Sequence, residues 1–229
     1  MAREAARGWT RVLPWRRKIF FGWWVALGGA LGQALNGAFY FYGFGAFFNP
    51  LIAEFGWSRA ETSLAFSLSR LEGGLIAPLS GMVIDRFGPR KLMLFGLALM
   101  ALGYFLFSRV DSLLMFYVVF VLCLSVGQTL SNWQPISTTV GNWFNRKRGT
   151  AVGIVMAGFG LGGLGVPVLA WMIQSFGWRN AAVYTGVALL VLSLPVVAVM
   201  RHRPEQYGYL PDGDTPAQRV LASAAKQAG

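Results

Sequence analysis

Six apolar stretches, at 20–48, 62–83, 92–107, 113–140, 150–173 and 182–200, are separated by short segments that carry most of the charge. A helix needs about 17 to 25 residues to cross a hydrocarbon core of roughly 30 Å, and these stretches are of that order. Composition agrees: 55% of the 229 residues are hydrophobic and only 13% charged, too apolar for an ordinary soluble domain. The expected fold is all-α, a polytopic membrane protein with six transmembrane helices.

Lys and Arg near helix ends stay on the cytoplasmic side, and their distribution here is lopsided. Arg3, Arg7, Arg11, Arg16, Arg17 and Lys18, then Arg86, Arg90 and Lys91, then Arg146, Lys147 and Arg148, then Arg201, Arg203, Arg219 and Lys226 fall on one side. Arg59, Arg109 and Arg179 fall on the other, and Arg70 lies inside a helix. Both termini are therefore expected in the cytoplasm. The chain divides into a basic tail at 1–19, a six-helix bundle at 20–200 and a cytoplasmic linker at 201–229. Pro204, Gly208, Pro211, Gly213 and Pro216 break any long helix in that linker. The apolar run after the basic tail is too long for the core of a signal peptide, so it reads as an uncleaved first helix.

The net charge of +11 is spread over short juxtamembrane loops, which fits topology and anionic headgroups rather than nucleic acid. Cys123 is the only cysteine, so neither an intramolecular disulfide nor a Cys-based metal site is expected. No cofactor is expected either. An echo joins Phe55-Gly56-Trp57-Ser58-Arg59-Ala60 to Phe176-Gly177-Trp178-Arg179-Asn180-Ala181. It reads as boundary chemistry: a Trp anchor at the interface, a Gly that ends a turn, and a capping Ser58 or Asn180. Ser58 and Glu61 have the spacing of a capping box, which gives Glu61 a structural role.

Between the second and third apolar stretches lies Gly81-Met82-Val83-Ile84-Asp85-Arg86-Phe87-Gly88-Pro89-Arg90-Lys91. Gly81 suits a close helix approach, Gly88 a turn that most residues avoid, and Pro89 forbids a continuous helix. This segment resembles the signature loop of the major facilitator superfamily, matching Gly-x-x-x-Asp-Arg-x-Gly-x-Arg-Lys in full. The likeness extends to Tyr42-Gly43-Phe44-Gly45, Trp57-Ser58-Arg59-Ala60, Ala77-Pro78-Leu79-Ser80-Gly81, Trp143-Phe144, Arg148-Gly149-Thr150-Ala151 and Phe176-Gly177-Trp178-Arg179. With Arg203-Pro204-Glu205, Tyr207-Gly208 and Pro211-Asp212-Gly213, this set is similar to the monocarboxylate and oxalate/formate antiporter branch.

The resemblance implies twelve helices in two halves with the substrate site between them, and this chain resembles the N-terminal six-helix half. The other half is then a partner, from the same gene, as a separate chain, or as a second copy in a homodimer. The resemblance also implies a gating loop built from Gly81, Asp85, Arg86, Gly88, Arg90 and Arg148, with Asp85 as a latch and Arg148 as its expected partner. A carboxylate near the membrane boundary needs such a partner.

Polar residues within the helices carry what the chain says about substrate. Gln33, Asn36, Gly37 and Tyr40 share one face of the first helix, and Ser125, Gln128, Thr129 and Asn132 form a second stripe. Helices one and four line the central cavity in this superfamily, so Asn36, Tyr40, Gln128 and Asn132 are candidate substrate ligands; interhelical hydrogen bonding is the other reading. Arg70 and Glu72 lie about 12 and 15 Å into the second helix, where a charge costs about 2.5 to 3.5 kcal/mol. Two residues apart, they face different ways. Arg70 suits a carboxylate through its bidentate fork, and Glu72 is a candidate proton carrier. A buried interhelical charge network is the alternative for both.

The fifth helix holds Gly149, Gly153, Gly158, Gly160, Gly162, Gly163 and Gly165, then Pro167. The superfamily's antiporter signature places Gly-Pro before a glycine pair, an order reversed here. Animal monocarboxylate carriers use a lysine in helix one, and none follows Lys18 in this helix. The reading is a secondary active transporter in a bacterial inner membrane, working by alternating access with proton coupling or exchange. Its expected partners are the bilayer and a small solute such as a monocarboxylate, alone or with protons. The alternatives are a carrier or exporter of a neutral or amphiphilic solute, or a truncated, non-transporting half acting as a membrane scaffold. An enzyme is not expected: the acids within or beside the spans are Glu72 and Asp85, and no nucleophile has a paired base.

Overall fold

A computed structural model describes residues 20–213. The basic tail 1–19 and the linker residues from 214 on, with Pro216, Arg219 and Lys226, lie outside the described residues. Among the described residues all regular structure is helical.

Helix α1 (Phe21–Asn36) passes into a π-helical turn at Gly37–Phe41, and after a turn at 42–44 the chain continues as α2 (Gly45–Phe55). The expected run 20–48 is thus broken near its end. α2 stops at Gly56, whose φ of 68° suits glycine. α3 (Arg59–Phe87) starts with the capping box: Ser58 Oγ accepts from the Glu61 N–H at 3.1 Å, and the Glu61 carboxylate accepts from the Ser58 N–H at 2.8 Å. Two otherwise orphaned N–H groups are satisfied, and these bonds hold the Glu61 carboxyl below its ordinary value. α3 ends at Gly88 (φ 81°), and α4 (Pro89–Phe107) follows at once with proline in its first turn.

α5 (Leu113–Val118), a π-helical stretch at Val119–Ser125, α6 (Val126–Ser131) and α7 (Trp133–Trp143) form one rod. The rod is distorted at Asn132 (φ −117°, ψ −103°), just before Pro135, whose missing N–H removes a helical hydrogen bond. α8 (Arg148–Leu161) is joined by a short 3₁₀ turn at Gly162–Gly165 to α9 (Val166–Val199), which turns at Gly177 (φ 77°, ψ 155°).

Among the described residues, three helical stretches are long and apolar enough to cross a membrane: Pro89–Phe107, Leu113–Trp143 and the kinked Arg148–Val199. α3 has the length, at 29 residues, but Arg59, Glu61, Arg70, Glu72, Asp85 and Arg86 lower its apolarity. Helices satisfy their own backbone groups, which lipid cannot do. Leu71, Leu75, Leu114 and Leu164 are among the large apolar side chains left exposed on the helices.

Glycine sets the tightest crossings. A Cβ at Gly96 on α4 would stand 2.7 Å from the Gly127 carbonyl oxygen on α6, and one at Gly127 would stand 2.8 Å from that of Gly96. Gly158 of α8 lies on the Ala30 backbone of α1, and a Cβ at Gly162 would be 2.6 Å from the Ala34 oxygen. The glycines of the fifth apolar stretch therefore split. Gly158, Gly162 and Gly165 face α1 and its π turn, whereas Cβ atoms at Gly149, Gly153, Gly160 and Gly163 would meet nothing within 4 Å. Toward the end that carries Trp57 and Trp178, an aromatic core fills the bundle: Phe44, Phe47, Phe107, Phe116 and Phe120 are fully buried, with Phe44 and Phe120 edge to face at 4.6 Å.

Candidate functional site: a polar centre and the two ends of the bundle

The polar groups at the middle of the bundle gather where two helices lose regularity. Tyr40 sits on the π turn that ends α1, and Ser125 closes the π stretch before α6. Such irregular turns inside helices re-aim side chains. Ser125 Oγ donates to Glu72 Oε2 and lies 3.5 Å from the Ser69 carbonyl oxygen. The Tyr40 hydroxyl stands beside the hydroxyls of Ser125 and Ser69 and close to Glu72, while its ring stacks on Phe120 at 5.8 Å. Glu72 Oε1 is shielded from solvent and has no hydrogen-bond partner among the described residues. Arg70 is exposed on another face of α3, and among the described residues no ion pair or hydrogen bond engages it.

A second polar group lies on α1 and the α6–α7 junction. Asn36 Nδ2 is 3.5 Å from Gln33 Oε1, and Asn132 Nδ2 donates to the Gly32 carbonyl oxygen at 3.2 Å. Both asparagines are buried, and the Oδ1 of each has no partner among the described residues. Gln128 is half-buried on α6. The stripes on α1 and α6 thus converge, with acceptor oxygens left over.

At the end that carries the 81–91 loop, Arg90 Nε donates to the Met200 carbonyl at 2.7 Å and its Nη2 to that of Ala198. A cation so placed completes the last turn of α9, where carbonyls lack partners. Asp85 is exposed and lines a pocket of about 430 Å³ with Arg86, Phe87, Gly88, His202, Arg203 and Gln206. No bond joins it to Arg148, whose guanidinium lies over Gly141, 3.3 Å from where a Cβ would stand. The expected Asp85–Arg148 pair is therefore not formed in this structure, because the end of α3 meets the segment after α9 rather than α8. A Cβ at Gly81 would meet nothing within 4 Å among the described residues.

The segment 200–213 docks across this end. The Trp143 indole donates to the Arg201 carbonyl at 2.7 Å and Asn142 Nδ2 to that of His202 at 3.1 Å. The Arg201 guanidinium lies over the rings of Phe21 and Tyr207, at 4.1 and 4.3 Å. The Asp212 carboxylate accepts from the backbone N–H groups of Asn145, Arg146 and Lys147 at 3.0, 2.8 and 3.2 Å. Burial works against its charge, but those three donors hold the carboxyl below its ordinary value. Burial holds the His202 imidazole below its ordinary value, with Arg203 acting the same way and Asp85 opposing.

The opposite end is closed by the echoed motif. Trp178 Nε1 donates to Glu54, and Arg179 forms an ion pair with the same carboxylate at 2.6 Å. Arg179 also donates to the carbonyls of Ser108 and Val110, at 3.0 and 3.1 Å. The bonds from Trp178 and then Arg179 keep the Glu54 carboxyl below its ordinary value. α2, α9 and the α4–α5 turn are tied together.

This gathering of polar groups inside an apolar helical bundle, with a charged loop at one end, has known relatives. The family model for the Major Facilitator Superfamily matches residues 19–227. The chain belongs to the major facilitator superfamily. It is 31% identical over 167 residues to an oxalate:formate antiporter of Oxalobacter formigenes, covering 72% of this chain and 39% of that protein. It is 33% identical over 191 residues to monocarboxylate transporter 3 of Rattus norvegicus, covering 80% and 37%. It is also 30% identical over 132 residues to a fujikurins efflux protein of Gibberella fujikuroi, covering 57% and 28%. The chain spans about two fifths or less of the length of these relatives.

As a superfamily member the chain is of a transporter family, not an enzyme, and an integral membrane protein. Reasoning from sequence missed Asp212, Glu54 and the capping role of Arg90. Glu54 carried a signal: it stands just before Phe55-Gly56-Trp57, and the second half of the echo supplies its partners, Trp178 and Arg179. Asp212 stood in Pro211-Asp212-Gly213, one of the motifs that carry the resemblance, but in a stretch read as a linker, and nothing local names the N–H groups of 145–147 as its partners.

Proposed function

We propose that this chain is the N-terminal half of a secondary active transporter, six-spanning with both ends cytoplasmic, and that it moves a small organic anion by alternating access. The observation that carries the reading is the Glu72–Ser125–Tyr40–Ser69 centre. A carboxylate half out of solvent, with one oxygen unpartnered, can take up and release a proton at little structural cost. Arg70, two residues earlier and unpaired among the described residues, offers a fixed cation to an anionic solute from the same helix. The free acceptor oxygens of Asn36 and Asn132, with Gln128, suit donors on the solute or its water. A mechanism follows from these groups: protonation of Glu72 removes its charge as solute binds, and a neutral centre then permits the two halves to rock about the site. Gly81, Asp85, Arg86, Gly88, Arg90 and Arg148 form the gate at the cytoplasmic end. The bacterial inner membrane fits the basic loops on one side, and one bacterial antiporter lies among the relatives.

Uptake of labelled carboxylates into proteoliposomes, with and without an imposed pH gradient, tests this on the chain alone and on the chain joined to six further helices. Glu72→Gln is expected to abolish the response to the gradient, and Arg70→Gln to raise the half-saturating concentration about tenfold or more, as for a lost charged contact. Uptake that survives both changes unaltered overturns the assignment. A second reading, export of a neutral or amphiphilic solute, is favoured by the exposure of Arg70 and by the efflux protein among the relatives. It predicts that amphiphiles compete and carboxylates do not.

A further inference from the structure

An apolar slot of about 450 Å³ opens near the Asp85 end between α3 and α4, lined by Ile76, Leu79, Val83, Phe87, Leu92, Phe95, Val126 and Leu130, with Lys91 and Ser80 besides. Its rim residues Leu79, Phe87, Phe95 and Lys91 are exposed, and Val126 and Leu130 of α6 are half-buried on its floor. The hydroxyl of Ser80 is turned back on the Ala77 carbonyl at 2.8 Å, so no polar group competes inside the slot. Phe87 is shared between this slot and the polar pocket of about 430 Å³ that holds Asp85, Arg86, His202, Arg203 and Gln206. An apolar slot and a charged pocket joined through one ring match the two parts of an amphiphile.

We propose that slot and pocket together hold one anionic phospholipid, with an acyl chain along α3 and α4 and its phosphate among Arg86, Arg203 and Lys91. Charge decides the headgroup. Three cations face one acid, Asp85, and His202 brings a shielded Nδ1 that lacks a partner among the described residues. The Arg86 guanidinium already lies 5.3 Å from the Phe87 ring, at the boundary between the two spaces. A lipid seated there ties α3 to the segment after α9, so it acts on the same helix end as the gating loop. The site does not depend on what the protein transports.

The 229-residue chain in phosphatidylcholine nanodiscs, doped with a photoreactive phosphatidylglycerol or a phosphatidylcholine bearing the same reactive acyl chain, tests the site. Phosphatidylglycerol is expected to label peptides covering 76–95 and 126–130 above the exposed α9 surface at Val187, Val191 and Leu194. Lys91→Gln and Arg203→Gln are each expected to lower that excess about fivefold. Val126→Phe, which fills the floor, is expected to lower slot labelling by either probe while labelling on α9 stays constant. Thermal stability in the same discs checks that each variant is folded, and Leu130→Phe replaces Val126→Phe if that variant is not. Equal labelling by the two lipids, labelling no higher than on α9, or indifference to the filled floor overturns the proposal. Labelling at the α9 level also reports a slot covered by residues 214–229 or by a second copy.

Discussion

The α4–α6 and α1–α8 seams and the long helix α3 use the same residue, glycine, to opposite ends. At the seams, Gly96, Gly127, Gly158 and Gly162 let backbones touch, and an added Cβ would collide with main-chain atoms. Along α3, a Cβ at Gly74 or Gly81 would meet nothing within 4 Å, and one at Gly73 only the Thr129 hydroxyl at 3.8 Å. α3 also carries Arg70, unpaired among the described residues, the half-satisfied Glu72 and the exposed Asp85. Packing density and chemistry are separated. The seams make a rigid frame, and α3 with the open glycines of α8 is a face whose contacts are incomplete within this chain.

The largest expected effect breaks the frame. Gly127→Val adds a Cβ that would stand 2.8 Å from the Gly96 carbonyl oxygen, with two methyl groups beyond it, and no rotamer relieves a clash of Cβ with backbone. A loss of more than about 3 kcal/mol is expected, at or beyond the usual range for overpacking. The readout is loss of the monodisperse gel-filtration peak in mild detergent. A normal peak and an unchanged melting temperature would show that α4 and α6 are not in contact, and the contrast with α3 would collapse.

Ser125→Ala comes next and probes the point where frame and α3 meet. It removes the hydrogen bond that Glu72 accepts from Ser125 and, among the described residues, leaves a shielded carboxylate unpaired, which costs about 1–3 kcal/mol. Thermal melts should show the loss, and Glu72→Gln in the same background should recover part of it, since a neutral amide is cheaper to leave without a donor. Full additivity of the two changes would mean that the side chains do not interact.

A smaller effect is expected at Asp212, which holds the segment 200–213 on the frame. Asp212→Asn keeps the shape but loses the charge and one of the two acceptor oxygens facing three N–H groups, for about 1 kcal/mol. The native carboxyl titrates below its ordinary value of 3.8. Its contribution is therefore complete above that value and fades as the pH falls through the lower folded-state value. Amide hydrogen exchange at residues 145–147 is expected to quicken in the variant at neutral pH, and in the native chain only in strong acid. Equal protection in both forms would mean that Asp212 does not cap this turn.

How much of this contrast could be read from the chain differs between its two sides. Helical class, the start of α3 at Ser58 and its end at Gly88 were legible, because capping and turn chemistry are local. The stripe from Gln33 to Tyr40 was legible as a face, but the π turn that aims Tyr40 at Ser125 and Glu72 was not. A shift of helical register depends on what packs around it. The glycines of the fifth stretch were visible as a set; which of them touch α1 was not, since spacing gives a face without naming its neighbour. Asp85 was legible as a charge in need of company. Its neighbours, His202 and Arg203, come from the segment after α9, distant in sequence, and no periodicity within α3 points to them.

The smallest expected effect is the most discriminating. Gly81 lies inside α3, where glycine is less favourable than alanine by about 0.5–1 kcal/mol, and a Cβ there has open space around it. Gly81→Ala is therefore expected to leave the melting temperature of this chain unchanged or to raise it slightly. If the glycine is kept for an approach by the other half of the transporter, the same change is expected to weaken transport in a protein that contains both halves, without loss of its folded yield. A fall in stability of this chain alone would mean that the face of α3 at Gly81 is already packed within the half. An unchanged transport rate in the joined protein would mean that it is not a crossing point at all.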